Sequence, residues 1–124
     1  MDWDAVGRDS LAAARELQNS RPRSAVCRSY YAAHAVLASV LVAAGYVPGA
    51  NRQTPPHEAQ AKLIGLHLAA RGQRFVRELR TIVRRLYVAR IDADYDRRTT
   101  VDRSVAKRAV RDAHVVFLML GVTP

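Results

Sequence analysis

The sequence predicts an all-α fold, a single up-down bundle of about four or five helices. Three observations lead there. Apolar residues recur at three- and four-residue intervals through nearly every long segment, the spacing that keeps them on one side of a helix. Nowhere do β-branched residues alternate between hairpin turns, as strands would require. Glycine, proline and short polar residues gather at 19–22, at 45–56 and around 72, where helices must stop. With 124 residues the chain can bury one core and is expected to form one domain over 1–124.

The first helix is expected from Asp4, read as its N-cap, to about Gln18, with Trp3, Val6, Ala14 and Leu17 on its inner side. Residues 19–22, ending in Pro22, break it. A second helix over 24–44 carries Val26, Tyr30, His34, Leu37 and Leu41 on a broad apolar face and stops at Gly45. Its Ala32, Ala33, Ala35 and Ala38 allow another helix to approach closely, in the core or at a dimer seam. Residues 45–56, with Pro48, Gly49, Pro55 and Pro56, form the main loop. A third, weaker helix spans 57–70 and is interrupted by Gly65. Gly72 then marks the joint to a fourth helix, which ends near Arg90. A charged link over 92–102 leads to the last helix, from Asp102 or Arg103 to Leu120, which buries Val105, Ala109, Ala113, Val116 and Leu120.

The formal net charge is +9, from 20 Lys and Arg against 11 Asp and Glu, and only Lys62 and Lys107 among the basic residues are not arginine. Such a balance favours phosphate-bearing or acidic partners, and a coding bias towards Arg, Ala and Val would produce the same excess. On the fourth helix Arg77, Arg80 and Arg84, flanked by Arg74 and Arg85, are offset locally only by Glu78. With Arg97, Arg98 and Arg103 they form either a solvated face or a basic surface for RNA or an acidic protein. Few aromatic side chains are available for base stacking, so phosphate contact would be largely sequence-independent. A lone Cys27 makes no intramolecular disulfide, and a reducing cytoplasm is expected. The acidic opening residues lack the form of a signal peptide. The longest apolar run, 32–44, contains His34 and Ser39 and is too short to span a bilayer, so no membrane contact is expected.

The most informative stretch is Arg90-Ile91-Asp92-Ala93-Asp94-Tyr95. The apolar residues Phe75, Leu79, Ile82, Leu86 and Ala89 define one face of the fourth helix. At about 100° per residue, Arg90 falls inside that arc while Arg77, Arg80 and Arg84 point away. An inward guanidinium keeps its proton, so it needs an acidic partner or a bound anion. Asp92, Asp94 and Tyr95 are the local candidates. Two readings stay open: an Arg/Asp pair that fixes a helix end, or a phosphate or partner site.

Four features in order, the segment 24–34 with Tyr30-Tyr31-Ala32, the Pro56-His57 that opens the third helix, the Arg-x-x-Ala-Asp-Tyr element at Arg90 to Tyr95, and a closing helix of Ala and large apolar residues, make the chain similar to small prokaryotic HEPN-domain proteins over nearly its whole length. That resemblance implies a helical bundle that commonly dimerises and works in RNA cleavage, in toxin and antitoxin pairs, or beside a small nucleotidyltransferase. Ribonucleolytic members carry an arginine followed four to six residues later by histidine. Here Arg90 is followed by Tyr95, Asp96, Arg97 and Arg98, with no histidine in the window.

The substitution bears on chemistry. Metal-free RNA cleavage needs a base for the 2′-hydroxyl proton and an acid for the leaving oxygen, and histidine, with a pKa near 6.5, suits both. A tyrosine near pKa 10 is a poor base at neutral pH but can donate a hydrogen bond. The resemblance also implies that Tyr95 can be modified by a partnered nucleotidyltransferase. Arg28 with His34 and Arg108 with His114 satisfy the bare pattern. Their side chains nevertheless diverge by about 120° on a continuous helix. His34 is expected as a hydrogen-bonded core residue, His114 as solvated, and His57 as a helix cap or packed against the loop. No tight cluster of His, Cys and carboxylates marks a metal, and no glycine spacing marks a nucleotide loop, so no cofactor is expected.

Three functions are consistent with the sequence. The first is an RNA- or partner-binding component, a homodimer with a groove at Arg90, Asp94 and Tyr95, lined by Tyr30 or Tyr31 and neighboured by Arg97. The second is a metal-independent ribonuclease toxin. The third is a structural subunit that completes a nucleotidyltransferase site.

Overall fold

The computed structural model describes residues 1–50 and 52–124, and its regular elements are all helical. Helix α1 is Trp3–Leu17, α2 is Pro22–Ala43, α3 is Gln60–His67, α4 is Gln73–Tyr95 and α5 is Arg103–Leu120. Short 3-10 turns, His57–Ala59 and Ala69–Arg71, flank α3.

Helix α2 is the centre of the bundle and packs against α1, α4 and α5. Its Val26, Tyr30, His34, Leu37 and Leu41 are buried as the periodicity predicts, and Ala32, Ala33, Ala35 and Ala38 are buried within this one chain, in the core. Taken alone, α2 is long and apolar enough to cross a membrane, contrary to the estimate from the 32–44 run, but 67% of that window is covered by the rest of the chain. Helix α5 buries Ala109, Ala113, Val116, Phe117 and Leu120, with Val105 half-buried at its start.

Several boundaries differ from expectation, each for a local reason. Asp2, not Asp4, caps α1, its Oδ1 accepting from the Ala5 amide at 3.0 Å. The inner face of α1 is Gly7, Ser10, Leu11 and Ala14, and Val6 turns outward. Pro22 opens α2, where a missing N–H costs nothing. Gly65 lies inside α3 without interrupting it, and the helix is short because it is bounded by the two 3-10 turns. Gly72 takes φ +100, a backbone that side chains resist, and so turns the chain into α4. The long loop before α3 is where the sequence puts it, with residue 51 outside the described residues.

The largest difference is at the end of α4. The helix does not stop near Arg90 but continues to Tyr95, so Asp92, Asp94 and Tyr95 are helical. Arg23 at the start of α2 accounts for this. Its Nη1 donates to the carbonyls of Asp92 (3.3 Å), Ala93 (2.9 Å) and Asp96 (3.3 Å), and its Nη2 to that of Thr99 (2.6 Å). Only the Asp92 carbonyl has a backbone partner as well, the Asp96 N–H at 3.1 Å, so a cation here serves the remaining acceptors and complements the negative end of the helix. The buried stripe is also rotated slightly, with Val76, Leu79, Val83 and Leu86 innermost and Phe75, Ile82 and Ala89 at its margin.

Candidate functional site

Extending α4 through Tyr95 puts Arg90, Asp94 and Tyr95 within one helical turn or so of each other, against α2. The Arg90 side chain is only 13% exposed. Its Nη2 donates to the Tyr31 hydroxyl at 2.9 Å, and its Cζ lies 5.4 Å from the ring centre of Tyr31, 5.7 Å from Tyr95 and 5.9 Å from Tyr30. Three electron-rich rings thus surround one cation. Asp94 Oδ2 is 3.0 Å from Arg90 Nε, but no aligned hydrogen bond reaches that buried atom, so the pair attracts by charge more than by direction. The other oxygen of Asp94 accepts from the Cys27 thiol at 2.7 Å. Burial, then the Asp94 bond and charge, push that thiol up to about 12, so Cys27 is a hydrogen-bond donor and not a nucleophile at neutral pH.

Beneath Arg90 lies a polar chain. Tyr30 is fully buried, its ring 5.3 Å from Tyr31 and 5.7 Å from Tyr87. Burial raises its pKa, which keeps the phenol protonated and removes it as a base. Its Oη accepts from Gln60 Nε2 at 2.8 Å and lies 2.5 Å from His57 Nδ1. Gln60 Nε2 also donates to the His57 carbonyl, and Gln60 Oε1 lies 3.1 Å from His34 Nδ1. The protons follow from the one pattern in which every donor in these contacts finds an acceptor. The amide oxygen can only accept, so His34 carries its hydrogen on Nδ1. Tyr30 gives its one proton to His57 Nδ1, and neutral His57 therefore carries its hydrogen on Nε2. Burial lowers the pKa of both histidines, and the charge of Arg90 lowers that of His57 further. Both are neutral near pH 7.

Of the residues the sequence nominates, the structure brings together Arg90, Asp94, Tyr95, Tyr31 and, from below, Tyr30. Arg97 stands apart, exposed beyond the end of α4 in a shallow cleft with Ile91, Tyr95 and Arg98. Arg77, Arg80 and Arg84 are exposed as expected, and Arg80 also reaches α3, donating from Nε to the Ala61 carbonyl at 2.8 Å. His34 is the buried, hydrogen-bonded residue the sequence implies. His114 differs from expectation: it is half-buried, because α1 brings the Arg15 guanidinium to within 2.7 Å of its Nδ1.

Sequence reasoning missed Gln60, Tyr87 and Cys27 and underrated His57, whose ring lies 4.6 Å from His34. Tyr87 was accessible to the same angular argument as Arg90, being one turn before it. His57 and Gln60 carry only a weak signal, two polar residues three apart at a helix start. Among the described residues no group of three His, Cys, Asp or Glu is placed to hold a metal ion. A separate apolar cleft between α4 and α5, lined by Leu86, Val88 and Val101, ends at Arg85, which grips buried Asp112 through two bonds of 2.7 Å.

No curated protein and no solved structure matches the chain. A family model of the HEPN domain matches residues 5–121, from the first turn of α1 to the cap of α5, and so covers every element that builds the cluster around Arg90. By that match the chain belongs to the HEPN domain family.

Proposed function

We propose that this HEPN domain is an RNA-binding module that acts as a homodimer beside a partner protein, an antitoxin or a small nucleotidyltransferase, with Arg90 as its phosphate contact. The carrying observation is the state of Arg90. Its guanidinium is held by three tyrosine rings and faces one carboxylate, which it shares with Cys27. Its Nη1 makes no hydrogen bond to a described residue and is not among the fully buried unsatisfied atoms. A rigid fork with donors to spare is suited to a phosphate oxygen, and the positive balance of the chain would steer a polyanion towards it.

The cluster favours binding over cleavage. Tyr30 is protonated, and the Nδ1 of His57 is taken by Tyr30, so neither offers a free basic atom to a 2′-hydroxyl. The test is anisotropy of a fluorescent RNA oligonucleotide at low salt, with gel analysis of RNA integrity in metal-free buffer. Arg90→Ala should weaken binding by roughly tenfold, the worth of one charge-assisted hydrogen bond, and Arg90→Lys should restore only part of it. Unchanged affinity in both variants defeats the reading. RNA cut by the wild type and spared by Arg90→Ala would replace it with the ribonuclease.

A second reading rests on Tyr95, which is 70% exposed at the end of α4 with its ring against Arg90. A hydroxyl so placed is open to a nucleotidyltransferase. Co-expression with such an enzyme encoded beside this chain should add nucleotide mass to the wild type and none to Tyr95→Phe.

A further inference from the structure

Along α4, on the side of Arg90 that faces α3, lies a cavity of about 370 Å³ between α3 and α4. Arg80, Arg84, Thr81, Tyr87 and His57 line it, and Glu58, exposed at its edge, is the one carboxylate among its walls. Two of the donors there, on Arg80 and His57, are held ahead of any ligand. Arg80 is pinned by the bond from its Nε to the Ala61 carbonyl. Its Nη2 end comes up against Gly65, where an added Cβ would come 2.1 Å from Nη2 and 3.1 Å from Cζ. Neither Nη of Arg80 makes a hydrogen bond or ion pair with the described residues, and the same holds for the whole Arg84 guanidinium. His57 spends Nδ1 on Tyr30, which leaves Nε2–H with no partner among the described residues. Apart from Glu58, the cavity therefore offers N–H groups and few acceptors, the complement of a tetrahedral oxyanion.

We infer that this cavity is a phosphate subsite, in which Arg80, Arg84 and the Nε2–H of His57 bind one phosphate group. Arg80 and Arg90 are ten residues apart on α4, about 15 Å along the axis, too far to share one phosphate. Two sources supply the same chemistry. One is a second phosphate of the strand that Arg90 contacts, and this source alone rests on the RNA reading above. The other is a free phosphate or the phosphate of a mononucleotide.

Gly65→Ala separates ligand binding from folding. The atom it meets is the end of a flexible side chain, so Arg80 swings away while α3 keeps its helix. Arg84→Gln is the companion variant. In the first arm, inorganic phosphate is titrated into wild-type protein while the imidazole nitrogens of His57 are followed by NMR. In the second, the affinity of a single-stranded RNA is measured against salt. A saturable shift of His57 Nε2, weakened several-fold in both variants, supports the subsite. So does a log–log salt slope reduced by about 0.7 in each variant, the loss of one single-strand phosphate contact.

A shift with phosphate but no change in RNA slope assigns the site to a free phosphate, and a slope change assigns it to the strand. His57 unmoved by phosphate, together with wild-type RNA slopes in both variants, overturns the subsite. Binding that still depends on Arg90 in that case leaves the RNA reading standing. If the wild type binds no RNA at all, that reading fails, and the phosphate titration alone decides the subsite.

Discussion

At His34 the fold has committed a titratable group to one protonation state. The ring is 6% exposed, its Nδ1–H is spent on Gln60, and its other neighbours are the rings of Tyr30 and His57, so no carboxylate offsets an imidazolium there. Burial, with a smaller push from His57, lowers the folded pKa below the unfolded value near 6.5. The sign follows: the unfolded chain takes up a proton that the folded chain refuses. The contribution is thus fully present above about pH 6.5 and is lost as pH falls below it, by at most about 1.4 kcal/mol per pH unit for one histidine. Urea midpoints measured between pH 5 and 8 should drop on the acid side. His34→Gln should flatten part of that drop; the same curve in wild type and variant would show that His34 does not couple folding to pH. The half-buried His57 adds a weaker dependence of the same sign, with the exposed part of its ring screened by water.

Among the elements, α4 decides how the candidate site is built, and its last turn hangs on Arg23. Replacing Arg23 with Ala takes the side-chain donor from the carbonyls of Ala93, Asp96 and Thr99 and leaves that of Asp92 with the Asp96 N–H alone. A loss of about 1–3 kcal/mol is expected, together with faster amide exchange at 92–96 than in the middle of α4. Exchange unchanged there would mean that the turn is held by its neighbours and not by the clamp. The same contact explains what was legible. Helix α2 could be read from its own residues because its apolar residues run over 22 positions between Pro22 and Gly45 and, from Ala32 to Ala38, are buried all round. The inward turn of Arg90 was legible as well, because an angle on a single helix needs no tertiary information. The end of α4 was not, since the group that extends it lies 69 to 76 residues away in sequence. The His57 and Gln60 network was hidden for the same reason, its partners Tyr30 and His34 being 26 to 30 residues distant across an irregular loop.

For the molecule as a whole, the open question raised by a +9 chain is whether its charge acts diffusely or through a few placed groups. The two alternatives leave different salt dependences. A diffuse field weakens with ionic strength whichever arginine is removed, whereas counterion release counts the phosphates actually contacted, at about 0.7 in slope for each on a single strand. The topology supplies the control. Helix α1 packs on α2 and α5 but makes no contact with α4, so the exposed Arg8 lies on an element separate from the one that carries Arg80, Arg84 and Arg90. Neutralising Arg8 with Gln should leave the RNA salt slope nearly as it is in the wild type. Arg84→Gln and Arg90→Gln, each removing one charge as well, should each lower it by about 0.7, and the double variant by about 1.4, since the two contacts lie on different phosphates. Anisotropy titrations from about 50 to 200 mM salt read all five slopes, the wild type's included. Equal small losses at Arg8, Arg84 and Arg90 would mean that RNA senses only the total charge, and the placed guanidinium at the heart of the tyrosine cluster would then be a structural ion pair with Asp94.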